Sequence, residues 1–268
     1  MAIIINPISP VAFSVLGFDV RWYALAYIAA FVIGYWIFKK LTNSPKSVIS
    51  LNKNQLDDLL TYVVFGVILG GRLGYVLFYD PIFFITHPLE IFAVWHGGMS
   101  FHGGLIGVIT SVFLFAKRRQ INPWAILDIL AVVAPIGLFF GRIANFINRE
   151  VMGRPSDASW AVVFNGDTPI PRHPSPLYEA ATEGLILFGV MYCLYRFTKL
   201  RTKPGALGGI MGMGYAIFRM LCEQFRAPDA QIGFLTSWGL TMGQLLSGIM
   251  FIAGLIIFIV STQKKAVK

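Results

Sequence analysis

Seven apolar runs, near residues 20–38, 59–79, 99–116, 124–147, 176–195, 205–223 and 239–261, decide most of what this chain can fold into. Each is close to the ~20 residues a helix needs to cross roughly 30 Å of hydrocarbon. In that solvent a backbone amide finds no water, so each run must satisfy its own polar groups, which a helix does. The expected architecture is an all-α membrane protein, one integral domain over residues 1–268 with seven transmembrane helices. Only 13% of the residues are charged, where a soluble domain carries about a quarter.

A net charge of +9 could suggest a nucleic-acid partner, but its distribution speaks against one. Lys39, Lys40, Lys46 and Lys53 follow the first run, and Lys117, Arg118 and Arg119 follow the third. Arg196, Lys199, Arg201 and Lys203 follow the fifth, and Lys264, Lys265 and Lys268 the seventh. These segments hold all ten lysines, so the positive-inside rule places the N-terminus outside and the C-terminus in the cytoplasm. Met1 to Gly17 lacks the basic start and continuous apolar centre of a cleavable signal peptide. Cys193 and Cys222 fall inside apolar runs without metal-ligand spacing and read as free buried thiols.

The other basic residues, Arg21, Arg72, Arg142, Arg149, Arg154, Arg172, Arg219 and Arg226, are all arginines near or beyond the outer span ends. Arginine offers a planar fork that grips phosphate or carboxylate twice, whereas lysine is a point charge. The densest polar stretch is Gly141-Arg142-Ile143-Ala144-Asn145-Phe146-Ile147-Asn148-Arg149-Glu150-Val151-Met152-Gly153-Arg154. If helical, it puts Arg142, Asn145 and Arg149 on one face at i, i+3 and i+7, suited to an anion. Span six adds Tyr215, Arg219 and Glu223 at i, i+4 and i+8. An exposed helical ion pair contributes only ~0.3–0.5 kcal/mol, too little to explain carrying Arg219 and Glu223 into lipid, so a functional role is favoured.

The remaining features read more simply. The first nineteen residues are taken as a short helix on the membrane surface, and Tyr23 as an interfacial anchor or a site residue with equal weight. Asn54 is the expected cap of span two, with Asp57 and Asp58 in its first turn. Gly66, Gly70 and Gly74 form a packing stripe, as do Gly208 and Gly212 in span six. Arg72 needs a partner, with Asp80, Glu90 or a lipid head group as candidates, and Asp80 to Gly98 reads as an interfacial cover. His102, in Phe101-His102-Gly103-Gly104, is flanked by glycines that give access to a ring able to take a proton near neutral pH, although a bond to a neighbouring helix is the commoner use. Residues 148–175 are long enough for an extracytoplasmic head or lid. Ser175 and Pro176 then start span five, with Glu179 near the helix start and Tyr178 and Glu183 as structural hydrogen-bonding groups.

Phe101-His102-Gly103-Gly104-Leu105-Ile106-Gly107, Gly141-Arg142 to Gly153-Arg154, Arg172-His173-Pro174-Ser175 with Leu177-Tyr178-Glu179, and Gly214-Tyr215 to Arg219, Glu223 and Arg226-Ala227-Pro228-Asp229 occur together in one chain. In that combination the chain resembles the prolipoprotein diacylglyceryl transferases of the bacterial inner membrane, over essentially its whole length. One departure is Arg149, where the family carries glycine. The resemblance implies transfer of the diacylglyceryl group of phosphatidylglycerol to the lipobox cysteine of a preprolipoprotein, forming a thioether and releasing glycerol phosphate. It implies Arg142 and Arg219 at the lipid phosphate, Asn145, Glu150 and Gly153 shaping the site, and Tyr23, His102, Tyr215 and Glu223 lining it. His102 is then a candidate base for the incoming thiol, and neither metal nor cofactor is called for. A transporter would favour paired halves, and no internal repeat is evident. An intramembrane protease would need more than Ser100 beside His102, and a lipid-binding scaffold is the remaining alternative.

Overall fold

The structure, a computed structural model, describes residues 2–166, 169–227, 233–237 and 239–263. In chain order it runs β1 (Ile3–Ile5), β2 (Val11–Val15), β3 (Phe18–Arg21), α1 (Trp22–Thr42), α2 (Lys53–Phe78), α3 (Pro81–Thr86), α4 (Phe101–Arg119) and α5 (Pro123–Ile147). There follow β4 (Val162–Phe164), α6 (Ser175–Glu179), a π-helical stretch (Ala180–Ile186), α7 (Leu187–Phe197), α8 (Ala206–Glu223) and α9 (Met242–Gln263).

Among the described residues, five helical stretches are long and apolar enough to cross a membrane: α1, α2, α5, the continuous Ser175–Phe197 stretch, and α9. Expected spans three and six are present as α4 and α8, but glycines and ionisable side chains dilute their apolar content. Apolar side chains point outward along these helices, with Ile28, Val32, Leu77 and Ile256 all more than half exposed. That inversion suits lipid as the solvent, and the protein is a multi-pass membrane protein. Lys264, Lys265 and Lys268, part of the charge pattern used for orientation, lie outside the described residues, as do Pro228 and Asp229.

Two compact units divide the chain, one of Met1–Lys40 with Asp128–Lys268 and one of Leu41–Leu127. In the second, α2 is capped by Asn52 rather than the expected Asn54. Asn52 Oδ1 accepts from Gln55 N at 2.9 Å and Gln55 Oε1 accepts from Asn52 N at 2.9 Å, a reciprocal capping box. Asp58 is not serving the helix start but pairs with Arg119 at the end of α4. The glycine stripe of α2 meets a matching stripe on α4. A Cβ at Gly66 would sit 2.7 Å from the Gly107 carbonyl oxygen, and one at Gly74 would sit 2.7 Å from Gly103 Cα. Gly103 and Gly107, after His102, therefore serve this seam.

Arg72 corrects another expectation, since it binds backbone carbonyls rather than a carboxylate. Its guanidinium donates to the carbonyls of Ile91 at 2.9 Å, Glu90 at 2.5 Å, Ala93 at 3.3 Å, Gly97 at 2.6 Å and Gly98 at 3.1 Å, and it lies over the Phe84 ring. Five hydrogen bonds thus gather the 90–98 segment, in which two short 3-10 helices, Pro88–Phe92 and Val94–His96, leave carbonyls for the guanidinium.

In the larger unit the expected surface helix is replaced by strands. β2 and β3 form an antiparallel hairpin that pairs Val15 with Phe18 and Phe13 with Val20. Its turn, Leu16-Gly17, has φ of 51° and 82°, the left-handed pair that matches strand twist. Phe13, Val15, Phe18 and Val20 lie on one face, and Ser14 Oγ donates to Asp19 Oδ1 at 2.6 Å on the other. β1 runs parallel to β4, with Ile3 opposite Val162 and Ile5 opposite Phe164. Helix α5 buries Ile129, Val132 and Ile136 along one stripe. Gly184 lets the π-helical stretch approach Phe139 of α5, where an added Cβ would lie 2.7 Å from Phe139 Cβ. Close contact between α8 and α9 is made by Gly209 against Gly254, rather than chiefly by Gly208 and Gly212. Cys222 is buried as expected, but Cys193 is exposed.

Candidate active site

The last turns of α5, the α6–π junction and the last turns of α8 bring their charged side chains together in the larger unit. Arg142 Nε lies 2.9 Å from Glu179 Oε2, and its Nη2 donates to Glu183 Oε2 at 3.2 Å. Arg219 Nη1 reaches Glu179 Oε1 at 3.3 Å and Glu223 Oε2 at 2.5 Å. Arg226, just beyond α8, donates from Nη1 to Glu179 Oε1 at 3.1 Å. Glu223 Oε1 in turn accepts from Thr241 Oγ1 at 2.7 Å. Glu179 and Glu183 are fully buried, and Arg142 and Arg219 keep 19% and 12% of their side chains exposed.

Three guanidiniums therefore converge on one carboxylate, Glu179, and two further carboxylates balance the charge. Taking such ions out of water costs several kcal/mol each, which attraction offsets only with good geometry and satisfied hydrogen bonds. Satisfaction is incomplete, because Glu183 Oε1 is buried without a hydrogen-bond partner among the described residues. Arg142 Nη1 and Arg219 Nη2 likewise have no acceptor among them. The π-helical stretch begins directly after Glu179 and contains Glu183, and departures of this kind from α geometry concentrate at functional sites.

Tyr215 lies on α8 within electrostatic range of Glu183, Arg142 and Arg219, which places it in the same cluster. Arg219 and Glu223 form the expected i, i+4 pair, within a larger network. A second group forms at the C-terminal end of α5. Asn145 Nδ2 donates to the Tyr23 hydroxyl at 3.1 Å and to Glu150 Oε2 at 2.9 Å, and Asn148 Nδ2 donates to Glu150 Oε1 at 3.3 Å. Tyr23 is thus tied to Asn145.

Gly153 closes the segment that follows. Its amide donates to the His173 carbonyl at 2.9 Å, and the Arg154 amide donates to the Phe225 carbonyl at 2.8 Å. A Cβ at Gly153 would lie 2.6 Å from that His173 oxygen, so only glycine allows the approach. Ser175 does not cap α6, whose cap position is Pro174; its hydroxyl donates to the Val151 carbonyl at 2.9 Å. Tyr178 plays the structural part expected, accepting from Trp160 Nε1 at 2.7 Å and standing 3.1 Å from His173 Nδ1.

Arg149 departs from the expected anion face. Helix α5 ends at Ile147, and Arg149 has φ of 60°, so it no longer continues the Arg142–Asn145 face. A left-handed residue is where glycine is unstrained, which accounts for the glycine of the resembling family at this position. His102 stands in the first turn of α4, in the smaller unit, exposed and edge-on to Phe101 with ring centroids 5.6 Å apart.

Glu179, Glu183 and Arg226 were not expected as site residues. The available signal was two carboxylates four residues apart inside an apolar run, each expensive there unless paired.

Helices with outward apolar faces and a buried arginine–carboxylate network at their ends define a multi-pass membrane protein with an ionic polar site. The model of the family described as prolipoprotein diacylglyceryl transferase matches residues 10–260, and the chain belongs to that family. Relatives named phosphatidylglycerol–prolipoprotein diacylglyceryl transferase support the assignment. That of Rhodospirillum rubrum is 50% identical over 259 residues, covering 96% of this chain and 94% of its own. That of Methylocella silvestris is 49% identical over 264 residues, with 97% and 96% covered, and that of Azospirillum brasilense 52% over 256 residues, with 95% and 94% covered.

Proposed function

We propose that this protein transfers the diacylglyceryl group of phosphatidylglycerol to the lipobox cysteine of preprolipoproteins, in the bacterial inner membrane. The supporting observation is the convergence of Arg142 and Arg219 on the two oxygens of one carboxylate, Glu179. Forks that meet on a carboxylate are spaced to meet on a phosphate, and each retains an N–H without an acceptor among the described residues.

In the reaction, the cysteine sulfur attacks the glycerol carbon that bears the phosphate ester. The carbon–sulfur bond forms as the carbon–oxygen bond breaks, and glycerol phosphate leaves with the bonding electrons. Negative charge grows on the phosphate oxygens, so donors aimed there stabilise the transition state more than the ground state. The thiol proton must go to a base, because at neutral pH only a few per cent is thiolate. On the family resemblance, His102 is the proposed acceptor. Tyr23, Asn145 and Glu150 form the hydrogen-bonded wall of the lipid site, with Gly153, Tyr215 and Glu223 completing it.

The same reading takes α4 and α8 as spans, giving seven with the N-terminus outside, and residues 148–175 as an extracytoplasmic head. The test is to incubate purified protein with phosphatidylglycerol and a lipobox peptide and to follow the peptide by mass. Diacylglyceryl addition to cysteine is expected; peptide cleavage, or ion flux without addition, would overturn the proposal.

A further inference from the structure

Far from the arginines along the same two helices lies a buried carboxylate that the proposed chemistry does not use. Asp128, near the start of α5, is 2% exposed. Its Oδ2 accepts from the Gly205 amide at 2.8 Å and its Oδ1 accepts from the Gly208 amide at 2.8 Å. Gly205 is the cap residue of α8 and has no side chain to satisfy those donors itself. A carboxylate on one helix thus closes the amino end of another and suits the positive end of its dipole.

The position of this contact matters as well as its chemistry. From Asp128 to Arg142 is 142 − 128 = 14 residues, and from Gly205 to Arg219 is 219 − 205 = 14 residues. At 1.5 Å per residue both arginines stand about 21 Å further along helices that run the same way from the contact. At that far end both reach Glu179. The two helices are therefore tied at both ends by a carboxylate, with equal lengths between the ties. A neutral cap could satisfy the same amides without carrying a charge among apolar helices. What the bidentate carboxylate adds is a fixed axial register, because each oxygen holds a different amide of α8.

We infer that Asp128 is a positioning residue for the transfer reaction, setting the level of Arg219 on α8 against that of Arg142 on α5. This rests on the arginine pair being the phosphate clamp. Without the tie α8 is free to shift by part of its roughly 5.4 Å turn. Misplacement by ~1 Å can cost on the order of 100-fold in rate.

The test compares wild type, Asp128→Asn and Asp128→Ala in membrane-inserted, monodisperse protein. Turnover is measured per folded enzyme, alongside the distance between spin labels at Ala134 on α5 and Leu221 on α8 in a Cys193→Ser/Cys222→Ser background. The expected result for Asp128→Ala is roughly a 10-fold or greater loss in kcat/KM for phosphatidylglycerol together with a shifted label distance. Asp128→Asn, which keeps one acceptor oxygen, is expected to fall between the two, and it supplies the answer if Asp128→Ala does not fold. Full activity per folded enzyme, or reduced activity with an unmoved label distance, would overturn the inference. Arg142→Lys and Arg219→Lys are assayed beside them. If these keep full turnover the clamp fails, whereas the label distance reports the Asp128 tie independently.

Discussion

Removing Glu179 is the most informative perturbation of the ionic network, because one fully buried carboxylate is shared by Arg142 at 2.9 Å, Arg219 at 3.3 Å and Arg226 at 3.1 Å. Unit charges about 4 Å apart attract by about 4 kcal/mol at an effective dielectric of 20, before desolvation is counted. Deleting one partner of a buried pair costs about 3–5 kcal/mol, because the other charge is left uncompensated. Glu179→Ala removes the carboxylate shared by all three guanidiniums and leaves only Glu183 and Glu223, among the described residues, to balance them, so the upper part of that range applies. At about 2–4 °C per kcal/mol for a chain approaching this size, about 4–5 kcal/mol lowers the midpoint of thermal unfolding by roughly 8–20 °C. Glu179→Gln retains shape and one acceptor but turns an amide N–H toward a guanidinium, so it is nearly as damaging. Glu179→Asp keeps the charge but withdraws it by about one carbon–carbon bond, ~1.5 Å, and recovers part of the loss. The assay is thermal unfolding in lipid nanodiscs together with diacylglyceryl transfer to a lipobox peptide. An unchanged midpoint and rate in Glu179→Gln would refute the view that this carboxylate organises the three arginines.

Three other outcomes are expected. Arg149→Gly relieves a left-handed backbone at φ 60°, worth about 1 kcal/mol, and raises the unfolding midpoint while leaving transfer intact; a lowered midpoint or lost activity gives Arg149 a role in the site. Gly107→Leu drives a side chain into the Gly66 carbonyl and Gly70, and is expected to abolish accumulation of folded protein in membranes, whereas normal accumulation contradicts the close α2–α4 seam. His102→Gln is expected to lower the transfer rate and flatten its rise with pH, as loss of a base requires; an unchanged rate and pH profile removes His102 as the proton acceptor.

Much of this molecule was legible because lipid imposes simple rules. The α1, α2, α5 and α9 runs are continuous enough to read directly, and the glycine repeat at 66, 70 and 74 signals a close helix contact without naming its partner, α4. Arg142, Asn145, Arg219 and Glu223 stood out because charged and amide groups are costly at that depth. Glu179 and Glu183 carry little signal one at a time, because their partners lie on α5, on α8 and at Arg226, 37 or more residues away in sequence (179 − 142 = 37). The β2–β3 hairpin did carry a signal. Phe13, Val15, Phe18 and Val20 alternate around Leu16-Gly17, but the strands are only five and four residues long beside a dominant apolar helix. Pairing of β1 with β4 joins residues 159 apart (162 − 3 = 159), which no local pattern encodes. Arg72 misled because sequence offers only side chains as partners, and its acceptors are backbone carbonyls.

The central claim is that two guanidinium forks, and not merely two positive charges, hold the phospholipid phosphate during transfer. Arg142→Lys and Arg219→Lys separate these directly, since lysine keeps the charge and loses the fork. A charge-assisted hydrogen bond is worth about 1.5–3 kcal/mol, so kcat/KM for phosphatidylglycerol should fall roughly 10- to 200-fold in each purified, correctly inserted variant. Near-normal turnover by both variants would contradict it.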